Sequence, residues 1–352
     1  MGEPIGAIAV TTDTLSRRPY PPSLVHAFYA GLDRLPIPAW LFFVLLIPIV
    51  GVAQHLVAWR KGALAPGQFN FDLGTAGFWL GIFLIGVYVL KGAPKALDEY
   101  RPLLNVTEEE YARLKYGFVT IPNGLGTLFF LFGVAMGAVS GFSDMAVAPA
   151  IDYVFPLLRI GIWMIASGGT FLFGYQVIRQ LRQIGAFYAM PEQIDLFNLR
   201  PLYGFSRYSA TLGIMFFAST ALSTLDPTAY ESQVVFLFSF AVIPLIFLMF
   251  YLPLSGVHRR LVSEKERLLQ EANSRIASIL DRIHSAAFEQ QDYEGVAGMR
   301  AVYSTLKEEK ETVQGLRTWP WRPGTLTGLL SALFLPIILT LVREIISMFL
   351  GS

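Results

Sequence analysis

The side chains able to carry out chemistry in this 352-residue chain are few and scattered. Cysteine is absent, which removes disulfides, thiolate metal sites, iron–sulfur clusters and cysteine nucleophiles together. The histidines, His26, His55, His258 and His284, lie in four separate segments and in neither HxxxH nor HExxH spacing, so they read as unrelated residues, not a metal centre. No P-loop, GxSxG elbow, nucleotide fingerprint or TVGYG filter occurs. The run Pro122-Asn123-Gly124-Leu125-Gly126 is rich in glycine but follows no strand, so it is expected to break a helix, not to cradle a phosphate. These absences predict a non-enzymatic protein with no catalytic residue, metal or cofactor.

What remains are polar and conformationally special residues inside apolar runs. Pro48, Pro122, Pro244 and Pro336 each interrupt such a run. A proline there frees a backbone carbonyl and makes a kink, a hinge or a polar spot in a cavity. Ser331, Pro336 and Thr340 share the last apolar run and are the candidate lining of a polar pathway, with Pro244 and Pro122 as further hinge candidates. Gly133, Gly137 and Gly141 form a double small-xxx-small pattern, and Gly77 and Gly81 a single one. Both predict close helix packing. Trp319, Trp321 and Arg322, set between Pro320 and Pro323, suit a headgroup layer as interface anchors. Arg159, Arg343 and Glu344 fall toward the ends of apolar runs, and no run carries a central Asp, Glu or Lys, which weighs against a proton pump or a carboxylate-coupled transporter.

The elements that must position these residues follow from composition. Hydrophobic residues make up 54% of the chain and charged residues 15%, against about 25% charged in soluble domains. Seven stretches, near 39–58, 73–90, 118–140, 154–178, 208–225, 234–254 and 325–350, reach the ~20 apolar residues that cross a bilayer. Alternate segments hold most of the cations: Arg17, Arg18 and Arg34 before the first run, Lys91 to Lys115 after the second, Arg179 to Arg200 after the fourth, and Arg259 to Arg322 after the sixth. By the positive-inside rule the N-terminus is cytoplasmic and the C-terminus outside. In topology alone, an inside N-terminus with seven crossings resembles the insect chemoreceptor channels; none of that family's final-helix motif is present.

Outside the runs, residues 1–22 read as a mobile tail. Ser23 is expected to cap a short amphipathic helix with Leu24, Phe28 and Leu32 on one side, and Thr107 with Glu110 to form a capping box on a helix running into the third span. The stretch 191–207 reads as a packed re-entry segment. Between 257 and 323, Leu261, Leu268, Ala272, Ile276, Ile279 and Ile283, then Val296, Met299, Val302 and Leu306, recur at helical spacing around a turn near Asp292 and Gly295. That predicts a cytoplasmic antiparallel helical hairpin with coiled-coil character. Its balanced charge argues against nucleic acid as a partner.

The fold class expected is therefore all-α: a polytopic seven-span bundle in the plasma membrane, with a tail at 1–22, spans one to six within 23–256, the hairpin at 257–323 and the seventh span within 324–352. The function expected is an oligomeric channel or receptor-like protein with span seven bordering a polar pathway; the alternative is a membrane scaffold or signalling protein whose hairpin, 257–317, binds a cytoplasmic partner, and the third reading is a transporter of a small molecule or lipid.

Overall fold

The computed structural model describes residues 19–62, 64–68, 73–147, 154–191, 194–223, 233–289, 293–321 and scattered positions between 324 and 345. Helix is their one regular secondary structure, with no strand among them. The helices are α1 (Leu24–Leu32), α2 (Ala39–Arg60), α3 (Leu73–Tyr100), α4 (Glu108–Val119), α5 (Asn123–Val147), α6 (Val154–Ala189), α7 (Tyr203–Ser223), α8 (Gln233–His284) and α9 (Tyr293–Gly315). Four stretches, Ala39–Arg60, Ala76–Leu103, Asn123–Phe142 and Ile160–Ala189, are long and apolar enough to cross a membrane. They coincide with the first four expected spans, while most of 325–350, including Pro336 and Thr340, lies outside the described residues, as do Arg322 and residues 1–18.

The helices outrun the apolar segments that nucleate them. Helix α3 continues ten residues past the expected end at 90, through Pro94, so Lys91 and Lys95 stand on a helix and not in a loop. Helix α6 likewise carries Arg179 and Arg182 on its final turns. Hydropathy marks where apolar solvent ends, whereas a helix ends where its backbone loses partners. The opposite correction applies at 118–122. Helix α4 stops at Thr120, which is extended (φ −77, ψ 126), and α5 starts afresh at Asn123. Pro122 lacks an N–H and pushes the residue before it out of the α region, so α4 does not run into the third apolar stretch as expected.

The local caps form as the residue types require. The Ser23 hydroxyl accepts from the His26 amide at 3.2 Å. The Thr107 hydroxyl accepts from the Glu110 amide while the Glu110 carboxylate accepts from the Thr107 amide at 2.9 Å, closing the capping box. That bond holds the Glu110 carboxyl below its ordinary range. In α1, Leu32 is buried with Tyr29, while Leu24 and Phe28 face outward.

Two antiparallel pairs form the bundle. A Cβ at Gly133 would stand 2.5 Å from the Ser167 carbonyl oxygen, at Gly137 2.8 Å from Met164 Cα, and at Gly141 3.0 Å from Ile160 Cγ1, so α5 and α6 touch backbone to backbone. On α3, a Cβ at Gly77 would stand 2.9 Å from Leu222 Cβ of α7 and one at Gly81 would meet the Ser219 side chain, so these glycines seat α7 side chains against α3. The pairs meet through Trp79 and Trp163, whose rings cross at 87° with centroids 5.3 Å apart.

Candidate functional site

Below the apolar part of the bundle lies a layer where three helix C-termini converge. The last carbonyls of any helix lack intrahelical donors and carry a partial negative charge. Here each of the three ends is closed by side chains reaching over from another helix. At the end of α4 the donors come from α6. Gln176 Nε2 donates to the Phe118 carbonyl at 3.2 Å, Gln180 Nε2 to the same carbonyl at 3.1 Å and to Val89 at 3.3 Å, and Arg179 Nη1 to Thr120 at 3.0 Å. Gln176 and Gln180 are fully buried. Tyr208 of α7 closes the set from the far side, its hydroxyl donating to Gln180 Oε1 at 2.5 Å.

The segment before α1 is drawn into the same layer. The Tyr20 hydroxyl donates to the Gly117 carbonyl at 3.1 Å, and Arg179 also reaches both Tyr20 and Gly117. Ser23 N donates to Ile121 O at 2.9 Å and Asn123 N to Pro21 O at 3.1 Å, which makes a single bridge between Pro22 and Pro122. Burial raises the Tyr20 phenol above its ordinary value, opposed by the Arg179 guanidinium. Residues 19–22 are thus docked, in contrast to the mobile tail expected there. Pro122 sits between two helices and not within one.

At the end of α6 the donors come from α3 and α8. The Tyr100 hydroxyl donates to Phe187 O at 2.9 Å, and Arg260 Nη1 to Tyr188 O at 2.6 Å, with its Nη2 on Pro191 O. Around them Tyr100, Phe118, Phe187, Tyr188 and Phe205 pack as one buried aromatic cluster. The stretch expected to be a packed re-entry segment is packed: Ile194, Leu196, Leu199 and Leu202 are buried beside this cluster.

The third end belongs to α9. Lys265 Nζ donates to Gln314 O at 2.6 Å and Leu316 O at 2.8 Å, and His258 Nδ1 lies 2.9 Å from Thr318 O. The His258 ring stacks on Trp319 at 3.7 Å, and Trp319 on Trp321 at 4.2 Å. The two tryptophans therefore pack on each other and on α8. Leu254, Val257 and Leu261, fully buried, seat the same stretch of α8 in the core.

Helix α8 itself runs 52 residues without a break, about 78 Å at 1.5 Å per residue. It crosses position 257, so the sixth apolar run, with Pro244 in it, and the first arm of the hairpin are one rod. Helix α9 packs back along it after a π turn at Ser285–Glu289. The remaining expected pathway residue within the described set, Ser331, is exposed, as are Phe334 and Ile338. His55 Nδ1 lies 2.8 Å from the Gly51 carbonyl of its own helix. Among the described residues no three His, Asp or Glu side chains are grouped to hold a metal ion.

The chemistry of this layer is mechanical: cations and amides lock helix ends to one another. Gln176, Arg179, Gln180, Gln183, Arg260 and Lys265 were not singled out by the sequence. The available signal was a polar stripe at 176, 179–180 and 183, three- and four-residue spacing on a helix leaving an apolar run. No protein-family model, no curated protein and no solved structure matches this chain.

Proposed function

We propose that this chain is a non-enzymatic scaffold or signalling protein of the plasma membrane, crossing it seven times with its N-terminus inside, whose cytoplasmic hairpin binds a protein partner while the bundle anchors and orients it. The observation that carries the reading is the single 52-residue α8. Its lower half is held to the bundle by Arg260 and to the end of the returning arm of the hairpin by Lys265 and His258. A hairpin that served only as a tether would gain nothing from such a rigid root. Beyond the root the arms carry exposed Leu280, Phe288 and Val302 among alternating charges, a surface suited to another helical protein.

The test uses the absence of cysteine. Arg317→Cys, at an exposed position just beyond the arms, is cross-linked with a long flexible reagent in native membranes, beside the same substitution in a chain whose residues 266–313 are replaced by a short Gly/Ser link between the adjoining ends at Lys265 and Gln314. The expected result is one discrete adduct with another protein, lost on shortening, while membrane insertion is retained. Self-association alone would give an adduct of two copies and would favour the oligomeric reading instead. Discrete currents in planar bilayers, altered by Pro336→Ala or Thr340→Leu, would overturn the scaffold and return the channel.

A further inference from the structure

Away from the layer of helix ends, a cleft of about 180 Å³ opens between α3 and the first turns of α7. Its lining comprises Tyr88, Lys91, Gly92, Lys95, Arg207 and Tyr208, with Ala96 and Gly204 at its base. We propose that this cleft binds a phosphate group, carried on a lipid headgroup or free in solution.

Four features of the cleft support an anion of this size. Its volume is several times the ~30 Å³ share of one water, so it takes a phosphate with neighbouring atoms attached. Three exposed cations, Lys91, Lys95 and Arg207, border it. Lys91 pairs with Asp33 and Arg207 with Glu99, but all four side chains are about half exposed. Exposed pairs of this kind hold by only about 0–1 kcal/mol, so a doubly charged phosphate competes with them, and Lys95 pairs with no carboxylate among the described residues.

Glycines stand where a side chain would crowd the walls of the cleft. A Cβ at Gly92 would stand 3.0 Å from the Tyr88 ring and 3.3 Å from the Tyr208 ring, and those rings stack at 5.4 Å as one wall. A Cβ at Gly204 would meet the Ala96 carbonyl at 2.9 Å. Finally, the site lies where the apolar stretch of α3 gives way to Lys91 and where α7 begins, so the amide dipoles of a 21-residue helix point their positive end toward it. A basic pocket between helices at the edge of an apolar layer is where anionic headgroups are held. The Tyr208 hydroxyl is committed to Gln180, so the cleft wall is tied directly to the caps on α4.

The full chain, purified in neutral detergent, is titrated with dihexanoyl phosphatidic acid, with inorganic phosphate and with dihexanoyl phosphatidylcholine as the blank, following the thermal midpoint. Saturable stabilisation is expected from an anionic probe and not from the blank. Lys95→Gln, at an exposed position that leaves folding intact, should weaken apparent affinity about tenfold, the loss of one charged hydrogen bond. Gly92→Leu should abolish binding by filling the cleft, whereas Arg113→Gln, an exposed cation on α4, should change nothing. A response to phosphatidic acid alone identifies a headgroup; an equal response to inorganic phosphate identifies the free anion, and either upholds the site. No saturable shift with either anion, a shift matched by phosphatidylcholine, or a shift that Lys95→Gln and Gly92→Leu leave unchanged overturns it.

Discussion

The buried pair Tyr208–Gln180 gives the sharpest test of the cap layer. Gln180→Met keeps an unbranched chain of similar volume and removes the amide. The Phe118 carbonyl retains Gln176 as a donor at 3.2 Å, and Val89 sits inside α3, where the helical ladder supplies one. The group left without a partner is the Tyr208 hydroxyl, 1% exposed, which had donated at 2.5 Å. An orphaned buried hydroxyl costs about 1–3 kcal/mol, so the single variant should lose about 2 kcal/mol. Tyr208→Phe alone leaves Gln180 Oε1 without its donor and should lose about 1–2 kcal/mol for the same reason. The double variant contains neither orphan. It should lose only about 1 kcal/mol, giving a coupling of about 2–3 kcal/mol between the positions. That coupling is larger than the ~0.6 kcal/mol average for interhelical hydrogen bonds in membranes, because the site is dry and both partners are enclosed. Unfolding of the purified chain by sodium dodecyl sulfate in mixed micelles, followed by far-ultraviolet circular dichroism, measures all four corners of the cycle. Additive losses would refute the reasoning, since they would mean that water or another group already satisfies each side chain alone.

Three further outcomes follow from the geometry. Gly137→Val places a branched side chain where a Cβ already meets Met164 Cα at 2.8 Å, and should destabilise the α5–α6 pair by about 1–3 kcal/mol or more; Gly161→Ala, with nothing within 4 Å, should be neutral or slightly stabilising in the same unfolding assay. The depressed Glu110 carboxyl contributes stability to the start of α4 that is present above the ordinary Glu range near about 4.3 and is lost as pH falls through the lower folded value. Amide exchange at 108–111, corrected for intrinsic rate, should therefore quicken below about pH 4 in the parent and be insensitive to that change in Thr107→Ala/Glu110→Ala. Arg260→Met should cost about 1–3 kcal/mol by stripping donors from Tyr188 O and Pro191 O, and should broaden spin-label distances between α6 and the hairpin, while Arg275→Met on the exposed arm should do neither.

What the sequence made legible was local or compositional. Runs of apolar residues long enough to cross a membrane announce the first four spans, and Ser23 and Thr107 announce their helices because a cap acts within three residues of itself. The small-residue spacing at 133, 137 and 141 points to a close approach, though not to which helix approaches; that partner is α6, through residues 160–168. The caps on α4 were illegible for a different reason. Gln176 and Gln180 bind backbone carbonyls about 60 positions away, and a carbonyl has no residue type to read. Helix ends were misjudged wherever charge was taken as a stop signal, as at Lys91 and Arg179, since charged residues end the apolar surface without ending the hydrogen-bond ladder.

Those same cations carry two meanings at once. Arg179, Arg260 and Lys265 belong to the positive charge from which the positive-inside rule gives the expected orientation, and each also closes the negative end of a helix dipole. The coincidence has a physical basis. A helix whose apolar part ends at the membrane edge leaves its last carbonyls in a zone too dry for water to satisfy them fully, and a long cationic side chain is the group that can both remain in that zone and reach them. Donors brought from a different helix, as Arg260 is brought by α8 to α6, convert an unavoidable cost of helix termination into a joint between elements. The hairpin is thereby fixed to the bundle through the terminus of α6, and α8 runs unbroken from that joint into the arm.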